Sequence, residues 1–222
     1  LSVDGRIHRR QASALFNAGK PVFIDKPVGG SLGDCIAIYE NALELGVPCF
    51  SSSATRFGPE ISDSAWRERV GPVLGVTSWA PLSYQNGQPE LFFYGIHGIE
   101  ALFTAMGCGC QTVSRIKTPL HDTVTGVWEG ARIGVYRGLV EGHKSYGLMV
   151  HGEKAVWDTA EDPSYEALCR RIGRFFKTGE APVSPRETME IYAFMEAADE
   201  SLKNGGAPVE VSRVMQRASK GV

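Results

Sequence analysis

The chain has 222 residues, 43% of them hydrophobic and 22% charged, with a formal net charge of -2. That composition belongs to a globular protein large enough for one big domain or two small ones. It lacks the clustered Lys/Arg that nucleic acid or an anionic membrane surface requires, and no apolar run approaches the ~20 residues of a membrane span. Neither nucleic acid nor membrane is therefore expected as a partner. The five cysteines, Cys35, Cys49, Cys108, Cys110 and Cys169, are scattered and odd in number. This argues against a disulfide framework and for a reducing, cytoplasmic setting. Cys108-Gly109-Cys110 is one close pair without a second, so it reads as structural thiols and no metal is expected there. The chain opens on Leu1-Ser2-Val3-Asp4 with neither an initiator Met nor a signal-peptide pattern, which leaves any targeting segment out of view.

In chain order, His8 to Ala18 suits a helix stopped by Gly19. Pro21 to Ile24 is a continuous apolar run, as in a strand buried on both faces. Ser31 caps the next helix, Asp34 adds negative charge to its first turn, and Leu32, Ile36, Tyr39 and Leu43 form its apolar stripe before Gly46. Val47 to Ser52 supplies a second strand. Strand, helix and strand with tight connections imply parallel pairing through a right-handed crossover. The pattern then changes, with a boundary near Thr55 to Pro59. Val73 to Trp79, Thr112 to Lys117, Thr123 to Trp128, Arg132 to Val140 and Tyr146 to His151 read as strands, with hairpin tips at Glu129-Gly130 and Gly152-Glu153. Weak alternation along Thr123 to Trp128 fits burial on both faces. A helix from about Tyr94 to Met106 stands between the first two of these strands. Two more helices close the chain. One is capped at Asp162-Pro163 and stops before Gly179; the other opens on the capping box Ser184-Pro185-Arg186-Glu187 and ends at Asn204-Gly205-Gly206. The fold class expected is α/β. An incomplete Rossmann-like parallel sheet over residues 1–55 precedes an α+β domain with a mainly antiparallel sheet over 56–222.

Two segments carry chemistry. Asp25-Lys26-Pro27 lies past the carboxyl end of a buried parallel strand, the edge where open α/β sheets bind ligands. Lys26 reads either as a ligand-facing cation or as a solvated loop lysine. Tyr94 to Glu100 places His97 near a helix start with Glu100 a turn further on. Imidazole titrates near neutrality and can move a hydroxyl proton. The alternatives are a hydrogen-bonded, partly buried histidine, or a His/Glu metal pair for which no further ligands cluster.

Four segments in register resemble the Gfo/Idh/MocA family of NAD(P)-dependent oxidoreductases. Ala18 through Asp25-Lys26-Pro27 is similar to the family's helix, strand and Glu-Lys-Pro signature, with Asp for Glu. Ser53-Ala54-Thr55-Arg56-Phe57 resembles its Arg-Phe segment, and Gly95 to Glu100 its Gly-x-His-x-x-Asp segment. Glu187 to Gly206 is similar to its closing helix. The resemblance implies a Rossmann domain followed by a sheet domain that builds the substrate pocket and a homo-oligomer interface. It implies hydride transfer between NAD or NADP and a sugar- or cyclitol-like substrate. By the same resemblance Lys26 orients and polarises the substrate, His97 is the general acid/base, and Asp25, Lys26, Pro27 and Arg56 sit near the cofactor. Two departures stand out. Phe93 occupies the position where many members carry an Asp that orients the histidine, so either Tyr94 substitutes or the chemistry differs. Gly29-Gly30-Ser31-Leu32-Gly33 lacks the Gly-x-Gly-x-x-Gly spacing of a dinucleotide turn. The chain is thus expected to be the rear portion of such an enzyme, inactive by itself. The alternatives are a lyase- or glycosidase-type relative and an inactive binding or assembly module.

Overall fold

The computed structural model describes residues 5–221. Helix α1 (Gly5–Asn17) leads to strand β1 (Val22–Asp25), helix α2 (Leu32–Glu44) and strand β2 (Cys49–Ser52). The two strands pair in parallel, from Val22 with Cys49 to Asp25 with Ser52. At the start of α2 the Ser31 hydroxyl accepts from the Asp34 amide at 3.0 Å, and Glu196, from far along the chain, accepts from the Leu32 amide at 2.7 Å. Gly46 ends the segment at φ 64°, a left-handed conformation that carries no Cβ penalty in glycine. Cys35, Ile38 and Ala42 join Leu32, Ile36 and Tyr39 on the buried face, whereas Leu43 is 81% exposed. Leu43 shares the expected stripe but stands in the last turn, past the elements that cover it.

A 3-10 turn (Ala54–Phe57) and two short helices, α3 (Pro59–Ser62) and α4 (Ala65–Val70), lead into β3 (Val73–Pro81). Then follow α5 (Glu90–Phe93), α6 (Ile96–Met106), β4 (Cys110–Lys117), β5 (His121–Trp128), β6 (Arg132–Leu139), β7 (Gly147–Gly152) and β8 (Val156–Thr159). The chain continues through α7 (Tyr165–Thr178), α8 (Pro185–Lys203), β9 (Val209–Glu210) and α9 (Val211–Ser219). Seven strands form one sheet in the order β8-β7-β3-β6-β5-β4-β9. Only β3 and β6 pair in parallel; the other ladders are antiparallel. The architecture is the expected one, a small parallel sheet followed by a larger, mostly antiparallel one.

Several local details differ from the sequence reading. Strands β8 and β9, of four and two residues, are too short to carry a period-two signal. The helix expected from Tyr94 begins at Ile96 as α6, and a short helix that the sequence did not suggest, α5, precedes it across Tyr94-Gly95. Helix α7 is capped by Ser164, which accepts from the Ala167 amide at 3.2 Å, and not by Asp162. The capping box at Ser184 is half formed. Its hydroxyl accepts from the Glu187 amide at 3.1 Å, but the Glu187 carboxylate turns away to Arg56 at 2.6 Å.

Helices α6 and α8 cover one face of the large sheet. A Cβ on Gly98 of α6 would lie 2.4 Å from the Tyr136 ring, so only glycine lets this helix approach the sheet so closely. One buried cluster, running from Ala12 to Val214, joins both sheets through α8, and the Tyr192 hydroxyl of α8 accepts from the Val28 amide. Arg115 is fully buried and meets three carboxylates: Asp122 at 2.9 and 2.5 Å, Glu90 at 2.6 Å, and Asp199. Among the described residues, the opposite face of the sheet is only partly covered. Along β5, Val124, Gly126 and Trp128 point inward while Thr123, Thr125 and Val127 do not. The two-sided burial expected there is replaced by one-sided burial, with Ile116 70% and Ile133 50% exposed on neighbouring strands.

Candidate active site

Strands β1 and β2 end side by side, and their carboxyl ends meet the start of α6. Lys26 leaves β1 half-buried, with a cis peptide bond to Pro27. Its Nζ donates to the Phe93 carbonyl at 3.1 Å and lies 5.6 and 5.5 Å from the Phe93 and Tyr94 ring centroids. Burial lowers the Lys26 pKa, against the opposing pull of Asp25 and Glu100. Phe93 therefore supplies Lys26 with a carbonyl and an aromatic face.

His97 is 7% exposed, and its Nδ1 lies 2.7 Å from the Ser53 hydroxyl, just beyond β2. Thr55 Oγ1 is 2.8 Å from the His97 carbonyl, which has no proton to give, so Thr55 donates there. The same Thr55 oxygen is 2.9 Å from Ser53 Oγ, so its one proton serves two acceptors. Ser53 Oγ also accepts from the Thr55 amide at 3.2 Å. Ser53 thus anchors the ring through Nδ1. Burial, aided by the charge of Lys26, lowers the His97 pKa from 6.5 to about 3, so the ring is neutral near pH 7. Tyr94 packs edge-on to His97 with centroids 5.0 Å apart, and Tyr146 stands beyond at 6.4 Å.

Glu100 does not turn toward His97. It pairs with Arg56 and accepts from the Ser52 hydroxyl at 3.3 Å. The Arg56 guanidinium also meets Glu187 at 2.6 Å and Thr104 Oγ1 at 3.2 Å. Those carboxylates outweigh burial and raise its pKa. Arg56 thus spends its donors inside the protein, fixing the 3-10 turn that carries Thr55. Beside His97, a cavity of about 20 Å³ is bordered by Thr55, Trp79, Tyr146, Thr159 and Asp162. That volume holds about one water. Trp79 lies directly over Gly147, where a Cβ would come within 1.9 Å of the indole ring.

The sequence reading missed Ser53, Thr55 and Tyr146. The signal for the first lay in Ser51-Ser52-Ser53: hydroxyls ending a wholly buried strand must find partners. Tyr146 left no comparable trace.

No family model matches the chain, and no curated protein sequence matches it. Solved structures do match its fold. A probable dehydrogenase from Thermotoga maritima superposes with a TM-score of 0.83 at 18% identity, over 95% of this chain and 79% of that one. GenD2 from gentamicin A biosynthesis, solved in complex with NAD, gives 0.79 at 18% identity, over 94% and 76%. Scyllo-inositol dehydrogenase from Lactobacillus casei, with bound NAD(H) and scyllo-inositol, gives 0.78 at 13% identity, over 94% and 78%. The fold is the one these dehydrogenase structures share, and it is the architecture that the sequence resemblance implied. Among the described residues no helix is long and apolar enough to cross a membrane.

Proposed function

We propose that these residues form the substrate side of an NAD(P)-dependent dehydrogenase acting on a sugar- or cyclitol-like alcohol or ketone. The carrying observation is His97, neutral through burial and anchored through Nδ1 by Ser53, beside the Lys26 ammonium at the carboxyl edge of a parallel sheet; the ring proton is proposed on Nδ1, with the lone pair on Nε2. In alcohol oxidation the hydroxyl loses a proton as hydride departs. Nε2 takes that proton, and Lys26 stabilises the negative charge developing on oxygen. Entry of water and substrate into the chamber would relieve the desolvation that depresses the imidazole and make it a stronger base.

Asp25, Lys26 and Pro27 suit the nicotinamide end of NAD or NADP, which when bound supplies or accepts the hydride. The pyrophosphate needs a Gly-x-Gly-x-x-Gly turn, and the 222 residues contain none; by itself the chain is proposed not to hold the dinucleotide. Arg56 serves by fixing the turn that carries Thr55, and Ser53 takes the orienting role that an Asp at position 93 would have had. The partly covered sheet face is proposed as a homo-oligomer interface, since exposed Ile116, Val127 and Ile133 form an apolar surface that a second copy would cover.

Initial-rate kinetics with cyclitols and sugars, in a chain that also carries the glycine-rich turn, test the reading. His97→Asn should lower kcat roughly 10²-fold and alter the pH profile. Lys26→Ala should damage kcat at least as much as KM. Near-wild-type kcat/KM in both variants would place the active site elsewhere.

A further inference from the structure

A second, larger cavity of about 450 Å³ opens between α4 and α7, lined by Arg67, Arg171 and Arg174 with Arg56 at its back. It is distinct from the His97 chamber. Ile61 borders both, and Thr104 on its wall stands seven residues after His97 on α6, ~10 Å at 1.5 Å per residue.

The guanidiniums come from three elements, Arg56 from the 3-10 turn, Arg67 from α4, and Arg171 and Arg174 from α7. Arg67 donates to the Thr104 carbonyl at 2.6 Å and stacks 4.3 Å from the Trp66 ring centroid. Arg171 lies 5.7 Å from the Phe57 ring centroid, and Arg174 faces Glu180 at 3.2 Å. Arg56 is neutralised from behind by Glu100 and Glu187. Of the two carboxylates on the lining, Glu180 is paired with Arg174 and Asp63 accepts from the Ala65 amide at 3.0 Å. Among the described residues, Arg67 and Arg171 have no carboxylate within ion-pair distance. Exposed guanidiniums without counter-ions on a concave wall leave a donor-rich site open to an anion. The planar fork of a guanidinium stacked on a ring matches phosphate oxygens, and the volume falls in the range of small-molecule pockets.

We propose that this groove binds a phosphomonoester of a sugar-sized molecule, with its phosphate bridged by Arg67 and Arg171. An extended polyanion fits less well, because Asp63 and Glu180 stand on the lining and the chain as a whole carries a net charge of -2. The proposal does not depend on hydride transfer.

Calorimetry and thermal shift with a hexose 6-phosphate, inorganic phosphate and the unphosphorylated hexose test it on the chain itself. The hexose phosphate should bind below millimolar concentration and raise Tm, inorganic phosphate should bind more weakly, and the plain hexose should not bind. Arg171→Ala, on an exposed helix face, should weaken binding by about tenfold or more, and Arg67→Lys should do the same by losing the fork, both with unchanged circular dichroism. The proposal is overturned by absence of binding, by equal binding in both variants, by an equal effect of sodium chloride at matched ionic strength, or by binding of a polyanion such as heparin without the monoester.

Discussion

Lowering the pH from 7 to 5 should destabilise the fold through His97 in particular. The folded ring has its pKa lowered to about 3 by burial and by Lys26, against an ordinary 6.5. Between those values the unfolded chain binds a proton that the folded chain does not, so stability falls as pH drops. The contribution is fully present above 6.5 and is lost progressively toward pH 3. At pH 7 the unfolded histidine is mostly neutral, and at pH 5 it is almost wholly charged. The differential proton binding over that interval comes to about 2 kcal/mol. Urea unfolding at both pH values, for the wild type and His97→Gln, isolates the effect, because every other titrating group is common to the two proteins. The variant also loses the Ser53 hydrogen bond, so the comparison is between the pH-induced changes, not the absolute stabilities. The wild type should lose about 2 kcal/mol more than the variant. Equal losses would show that His97 titrates normally in the fold, and the neutral imidazole inferred from its burial would go with it.

Ser53→Ala should leave the buried Nδ1 of His97 without a partner, at a cost of about 1–3 kcal/mol in urea unfolding, and should lower kcat more than it raises KM; an unchanged kcat would deny Ser53 its orienting role. Arg115→Met should leave Asp122, Asp199 and Glu90 facing one another and reduce stability by roughly 3–5 kcal/mol, a loss that thermal unfolding would detect and whose absence would mean the carboxylates are protonated or displaced. Titration calorimetry of this chain with NAD and with NADP should show no specific binding at micromolar concentrations, and a tight stoichiometric complex would reveal a grip supplied by other residues. Ile133→Asp should shift sedimentation toward monomer; a wild-type chain that is monomeric across a wide concentration range would remove the proposed interface.

Much of this protein is determined within a few residues of sequence. Ser31 and Ser184 cap helices, and Gly46, Gly107 and Gly179 end them at positive φ, because cap hydrogen bonds and left-handed backbone are local chemistry. The parallel pairing of β1 and β2, the position of Lys26 at their carboxyl edge and of His97 at a helix start follow from hydrophobic runs and turn residues in the same way. Tertiary structure decided the rest. Strand β9 is two residues long and exists because β4 offers it a ladder. Glu187 belongs to a capping box by spacing, but the stronger charge of Arg56 draws its carboxylate away. Ser53 and His97 stand 44 positions apart, and Arg115 lies 84 from Asp199. Buried polar groups and charges must find partners, but which partner each finds depends on which strand ends and helix faces the packed core brings together, and no periodicity in the chain encodes that meeting.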